Sequence, residues 1–243
     1  MQDTSVLLTY GSSIAYLISL ILLFVKLKEG GRSRLILTAI QLYSGAIFAI
    51  FFIALYFFNS SSSGMSMHML ITASLGTTLY LIYFIEATDS MWLNIRRSAV
   101  LLMPVLIAYL IYMLSLRLGV EYVHYDSLID MIPDIMHFNV WYRMLICLSL
   151  FAPVVYAFIT LYTNRCNNVN RTWLRLFTFL ITVNVISFTM EFVSDNPHLA
   201  IISYYVSSVS RLLIVYIELS VRLNGRYTSK SPCVSSKLHR YYK

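Results

Sequence analysis

Seven long apolar runs divided by short polar stretches make up most of the chain: Val6–Val25, Leu35–Phe58, Met69–Ala87, Ala99–Leu116, Met144–Tyr162, Leu176–Val193 and Leu199–Val221. Each is close to the roughly 20 apolar residues that a helix needs to cross a bilayer. None alternates polar and apolar positions, as the strands of a membrane β-barrel do. A spanning segment must satisfy its backbone hydrogen bonds internally, and for an unalternating run only a helix does so. The pattern therefore predicts an all-α, polytopic membrane protein built as a seven-transmembrane helix bundle. Residues 1–221 form the helical domain and residues 222–243 a short basic tail. No internal repeat of the kind found in many transporters is visible.

Composition supports this reading. Hydrophobic residues make up 58% of the 243 and charged residues 12%. The charged share is about half that of a soluble domain, and the mean hydropathy is +0.71. The N-terminus, MQDTSVLLTYG, lacks the basic n-region of a secretory signal peptide, so the first run is expected to be an uncleaved helix. The three cysteines, Cys147, Cys166 and Cys233, do not form a disulfide framework.

The net charge of +7 sits in alternate connections. Fifteen of the eighteen lysines and arginines fall in the first, third and fifth loops and in the tail, on one side of the predicted bundle. Arg117 and Arg143 fall at helix ends on the other side, and Arg211 lies inside the seventh run. Basic loops stay cytoplasmic, so the N-terminus is expected outside and the C-terminus inside. This distribution gives no reason to expect direct nucleic-acid binding. Asn59-Ser60-Ser61 on the outer side reads as a bare polar loop rather than a glycosylation acceptor.

Polar groups inside lipid are costly and need a physical reason. In the seventh run, Tyr204, Ser207, Ser208, Arg211 and Glu218 recur at steps that place them on one helical face. In the sixth, Asn184, Ser187 and Glu191 form a matching stripe. Equal counting from the short turn between these runs puts Asn184 near the depth of Arg211. These eight residues are the candidates for a polar core or a ligand site. They can serve as a structural network that glues helices together, or as a cavity with Arg211 as the positive centre for an anionic or hydroxylated ligand. Glu86 and Asp89, at the cytoplasmic end of the third run, are candidates for a switch through pairing with Arg96, Arg97 or Arg175; snorkelling to water is the plainer reading.

The stretch Gly119–Val140 is the longest between runs. Leu128, Ile129, Ile132, Ile135, Met136 and Phe138 give it an apolar side, which predicts a short amphipathic lid on the bilayer. Pro133 argues against one continuous helix. Asp130, Asp134 and His137 do not form a tight ligand motif, so no metal site is expected. Pro104 and Pro153 predict kinks in the fourth and fifth helices. Gly11, Ser12 and Ala15, with Ser44, Gly45 and Ala49, predict close helix packing. No HExxH, GxSxG or Walker motif is present, and no run carries a histidine or lysine. The expectation is a protein that is not an enzyme and has no cofactor.

With this topology the chain resembles G-protein-coupled receptors in helix count alone. Its third run ends in FIEATDS, not Asp/Glu-Arg-Tyr, and the seventh has no Asn-Pro-x-x-Tyr. The short loops, FAPVVYAFITLY in the fifth run and YYVSSVSRLLIVYIELSVRL leading into the tail are similar to the seven-helix membrane sensor regions of Bacteroidetes regulators. Those regions precede an AraC-type or histidine kinase domain. The resemblance implies a multi-pass sensor in a bacterial inner membrane. Its partners would be the lipid bilayer, a small ligand and a cytoplasmic regulator or kinase that supplies the output. The 22 residues after Val221 are too few to be that output domain. Alternative readings are a small-solute transporter using a cavity around Arg211, and a structural membrane subunit.

Overall fold

The computed structural model describes residues 2–58, 67–88, 93–123, 125, 128–163, 170–193 and 197–222. Among them there is no strand. The helices are α1 (Gln2–Val25), α2 (Leu27–Phe58), α3 (Met67–Thr88), α4 (Ile95–Arg117), α5 (Phe138–Ser149), α6 (Ala152–Thr163), α7 (Arg171–Val193) and α8 (Pro197–Ile217), followed by a π-helical turn over Glu218–Arg222. Asp89, the loop carrying Asn59 and the tail beyond Arg222 lie outside the described residues, as do the side chains of Glu191 and Arg222.

Among the described residues, six segments are long and apolar enough to cross a membrane: Gly31–Ala54, Met67–Thr88, Ile95–Arg117, Phe138–Thr163, Arg171–Met190 and Ile202–Val221. Within α1 the apolar stretch is the shorter Thr9–Val25. The protein is therefore all-α, with six helical segments fit to span a membrane by length and composition. The surface is inside out relative to a soluble protein. On α4, Val100, Met103, Leu106, Ile107, Leu110 and Leu114 are exposed, while Val105, Tyr112 and Ser115 are buried. A helix that shows aliphatic side chains outward and hides a serine is suited to a lipid solvent.

The kink expected at Pro153 is present as a break in the fifth segment: the helix is interrupted at Leu150–Phe151, two residues before the proline, whose missing N–H and ring favour it. The helical pair also begins at Phe138, one and a half turns before the apolar run does, so Arg143 belongs to the second turn of α5 rather than to an exposed helix end. Among the described residues of Gly119–Val140 there is a 3₁₀ turn at Ile129–Met131 followed by turns up to the start of α5, in keeping with the break expected at Pro133. Ile129, Ile132, Ile135 and Met136 are exposed, while Tyr125 and Met131 are buried against α3, α4 and α5.

Helix α2 starts earlier than its apolar run because Gly31 bends it (φ 68°, ψ −156°). A side chain there would collide with its own backbone, so the bend needs glycine. Pro104, by contrast, lies within α4 without ending it. The α1–α2 contact uses small residues as expected: a Cβ on Gly45 would stand 3.4 Å from that of Tyr16, and Ser12 and Ser44 are buried. Gly11 takes no part in the contact, since nothing lies within 4 Å of the position its Cβ would take. At the far end of the bundle, Phe84, Trp173 and Phe177 form a stacked set, with centroids 4.7 Å apart for Phe84–Phe177 and 5.4 Å for Trp173–Phe177. Lipid tails are as apolar as these rings, so their contribution comes from close packing rather than from escape from water.

Candidate functional site

The polar stripe of α8 faces the interior. Ser203, Ser207, Ser208, Ser210, Ile214 and Glu218 are buried, whereas Ile202, Tyr205, Val209, Leu213 and Tyr216 are exposed. At 100° per residue, Arg211 falls at the centre of the buried arc. Its side chain is nevertheless only part-buried. Its Nε is a buried atom.

Asn184 is the anchor from α7. Its amide nitrogen donates to the Ser207 carbonyl at 3.0 Å, the Ser207 hydroxyl at 3.0 Å and the Ser210 hydroxyl at 3.2 Å. The contacts fall within one turn of Arg211, near the depth that equal counting predicts. Ser210 also donates to the Ser207 carbonyl at 2.7 Å. That carbonyl is thus shared by two donors, which suits a turn whose backbone is packed tightly against a neighbour. Ser187, one turn along α7, is part-buried.

Around Arg211 the electrostatic neighbours named by the structure are tyrosines of other helices: Tyr43 of α2 and Tyr80 of α3. Tyr43 donates to the Thr72 carbonyl at 2.9 Å. The Gln41 amide donates to the Tyr80 hydroxyl at 3.4 Å, and Gln41 Oε1 accepts from Ser19 of α1 at 3.0 Å. Hydrogen bonds therefore join Ser19 of α1, Gln41 of α2 and Tyr80 of α3, and Tyr80 feels the charge of Arg211.

Two further contacts fix α8 at its ends. Near its start, the Tyr204 hydroxyl donates to Ser12 of α1 at 2.9 Å. Where α8 passes into the π turn, the Tyr83 hydroxyl of α3 donates to Glu218 Oε2 at 2.6 Å, and Glu218 is 1% exposed. Glu86, buried on α3, pairs with Arg32 Nε of α2 at 3.8 Å, and Arg32 also donates to the Leu93 carbonyl at 3.3 Å. This pairing was absent from the set expected from sequence, which named Arg96, Arg97 and Arg175.

Gln41, Tyr80 and Tyr83 join the candidate residues through the structure. A signal for Gln41 was present, as an amide in the middle of an apolar run needs a partner. The tyrosines gave none, because a tyrosine in a membrane helix reads equally as an interfacial anchor. Among the described residues, no group of three or more His, Cys, Asp or Glu side chains is placed to hold a metal ion.

The fold and the apolar exterior define a class: a helical protein with several segments suited to crossing a membrane. No protein-family model, curated protein or solved structure matches the chain.

Proposed function

We propose that the protein is a multi-pass membrane sensor that passes an outer or intramembrane stimulus to a cytoplasmic partner and is not itself an enzyme. In this reading α1 is the seventh span. Its 24 residues reach about 36 Å as a helix, enough for a hydrocarbon core of about 30 Å. The fifteen basic residues on one side then set the N-terminus outside and the C-terminus inside. The membrane would be a bacterial inner membrane.

The observation that carries the proposal is the set of polar ties along α8. It is held to α1 at Tyr204, to α7 at Ser207 and Ser210, and to α3 at Glu218. A helix tied at three depths moves as a unit, so a shift at its outer end reaches the π turn that leads into the tail. π turns are often found at functional positions. The basic tail would then present the signal to a regulator or kinase.

A transporter is the rival, favoured by the part-exposed position of Arg211 within the buried arc. Transcript profiles of wild-type, deletion and Arg211→Ala cells test both readings. A sensor requires that the deletion changes transcription and that Arg211→Ala reproduces the change at normal protein level, with solute uptake intact. A deletion that leaves the transcript profile unchanged removes the sensor reading, and a loss of solute uptake in both strains supports the transporter.

A further inference from the structure

Arg143 is 2% exposed, lies in the second turn of α5 and is met by Val123 and Tyr125 of the stretch before that helix. Its Nη2 donates to the Val123 carbonyl at 2.8 Å, and its guanidinium carbon stands 5.1 Å from the centroid of the Tyr125 ring. Among the described residues, Nε and Nη1 have no hydrogen-bond partner. A guanidinium carries five N–H donors in a rigid fork. With one Nη2 hydrogen on Val123, one two-pronged edge remains open whichever hydrogen is used: Nη1 with Nη2, or Nε with Nη2.

Among the described residues the charge is unmatched as well: the groups that act on Arg143 electrostatically are Tyr125, Tyr122, Cys147 and Tyr112, none of them a carboxylate. The tyrosine hydroxyls are engaged elsewhere: Tyr125 donates to Asp134 at 2.8 Å, Tyr122 bonds Ser115 at 2.6 Å and Tyr112 bonds His68 at 3.2 Å. Burial first, and then the bond to Asp134, raise the Tyr125 pKa, so this phenol stays neutral. Asp134 is spent on Tyr125 and His137 and forms no ion pair with Arg143. An enclosed ion without a counter-charge costs several kcal/mol, and a folded protein seldom keeps such a group without use.

We propose that Arg143 is the base of an oxyanion-binding site at the N-terminal end of α5, taking the carboxylate or phosphate group of a ligand on the open edge of its fork. The fork matches either group in two-pronged geometry. The buried Asn139, one turn earlier, has an Oδ1 with no partner among the described residues, so it can accept from a hydroxyl on the same ligand. Arg143 lies five residues inside the apolar segment Phe138–Thr163, about 8 Å from its end. A lipid headgroup and a small soluble anion are the two sources of such a group, and either would have to displace the residues that cover Arg143. The site is built on another helix than the one that carries Arg211 and stands independently of the sensor reading.

The test uses the purified full chain in a non-ionic maltoside detergent. One arm titrates inorganic phosphate against chloride at fixed ionic strength and reads the melting temperature. The other incubates the protein with phosphatidylglycerol and counts retained lipid by native mass spectrometry. A phosphate-dependent rise of roughly 5 °C at about 100 times Kd, lost in Arg143→Met, identifies a soluble oxyanion as the source. Lipid retention that falls in Arg143→Met, with no phosphate response, identifies the headgroup. If Arg143→Met does not accumulate, Arg143→Lys replaces it; this variant keeps the charge but loses the fork, and should bind at least about tenfold more weakly. No response of the wild type in either arm overturns the proposal, as does a response that the variant fully retains.

Discussion

The Tyr83 hydroxyl donates to Glu218 at 2.6 Å, joining α3 to the end of α8 across 135 positions of sequence. The carboxylate is 1% exposed, and a buried charge needs its donors. Tyr83→Phe removes one and leaves the rest of the packing intact. The expected outcome is a destabilisation of about 1–3 kcal/mol, read as a lower unfolding midpoint in detergent. In a double-mutant cycle with Glu218→Gln, the two changes should be less than additive by at least about 0.5 kcal/mol. Full additivity would mean that the contact carries no coupling.

Asn184→Ala removes three donor contacts to α8 at once. Interhelical hydrogen bonds in membranes average about 0.6 kcal/mol and reach about 1.7. The loss should therefore be about 1–2 kcal/mol, small enough for the protein to fold. Disulfide trapping between cysteines placed on facing positions of α7 and α8 should become faster and less selective, as the register loosens. Unchanged trapping would show that packing alone sets the α7–α8 register.

Arg211→Leu and Arg211→Lys should separate charge from shape. The charge of Arg211 acts on Tyr43 of α2 and Tyr80 of α3, and Tyr80 is hydrogen-bonded to Gln41, which accepts from Ser19. Lysine keeps the charge but has no planar fork with which to reach several acceptors. If the proposed sensor role holds, the lysine variant should fold to wild-type levels and lose at least half of the transcript response that the deletion defines, and the leucine variant should lose it entirely. A lysine variant with full response would reduce the role of Arg211 to that of a point charge.

Orientation is tested by single cysteines in a background without Cys147, Cys166 and Cys233. A membrane-impermeant maleimide added to intact cells should label Ser62→Cys and leave Ser235→Cys unlabelled until the membrane is opened. The motive is that the proposed seven-span topology gathers fifteen of the eighteen basic residues on one side. Labelling of Ser235→Cys in intact cells would invert the topology.

The sequence by itself determined the solvent and the elements. Apolar runs near twenty residues leave a chain with so few charges no stable place but a bilayer, and in a bilayer an unbroken apolar run must be helical. Periodicity also fixed the inward face of α8, because residues at steps of three, four and seven share a side of any helix. Tertiary structure decided the partners. The period of one helix says nothing of how its neighbours are rotated about their own axes. So the charge of Arg211 acts on tyrosines of α2 and α3, Glu86 meets Arg32, and Ser12 proves to be the acceptor for Tyr204. The burial of Arg143 was equally illegible, since it depends on where a segment without periodic structure comes to rest. Only the packing of Val123 and Tyr125 over α5 turned an arginine near a helix end into an enclosed charge.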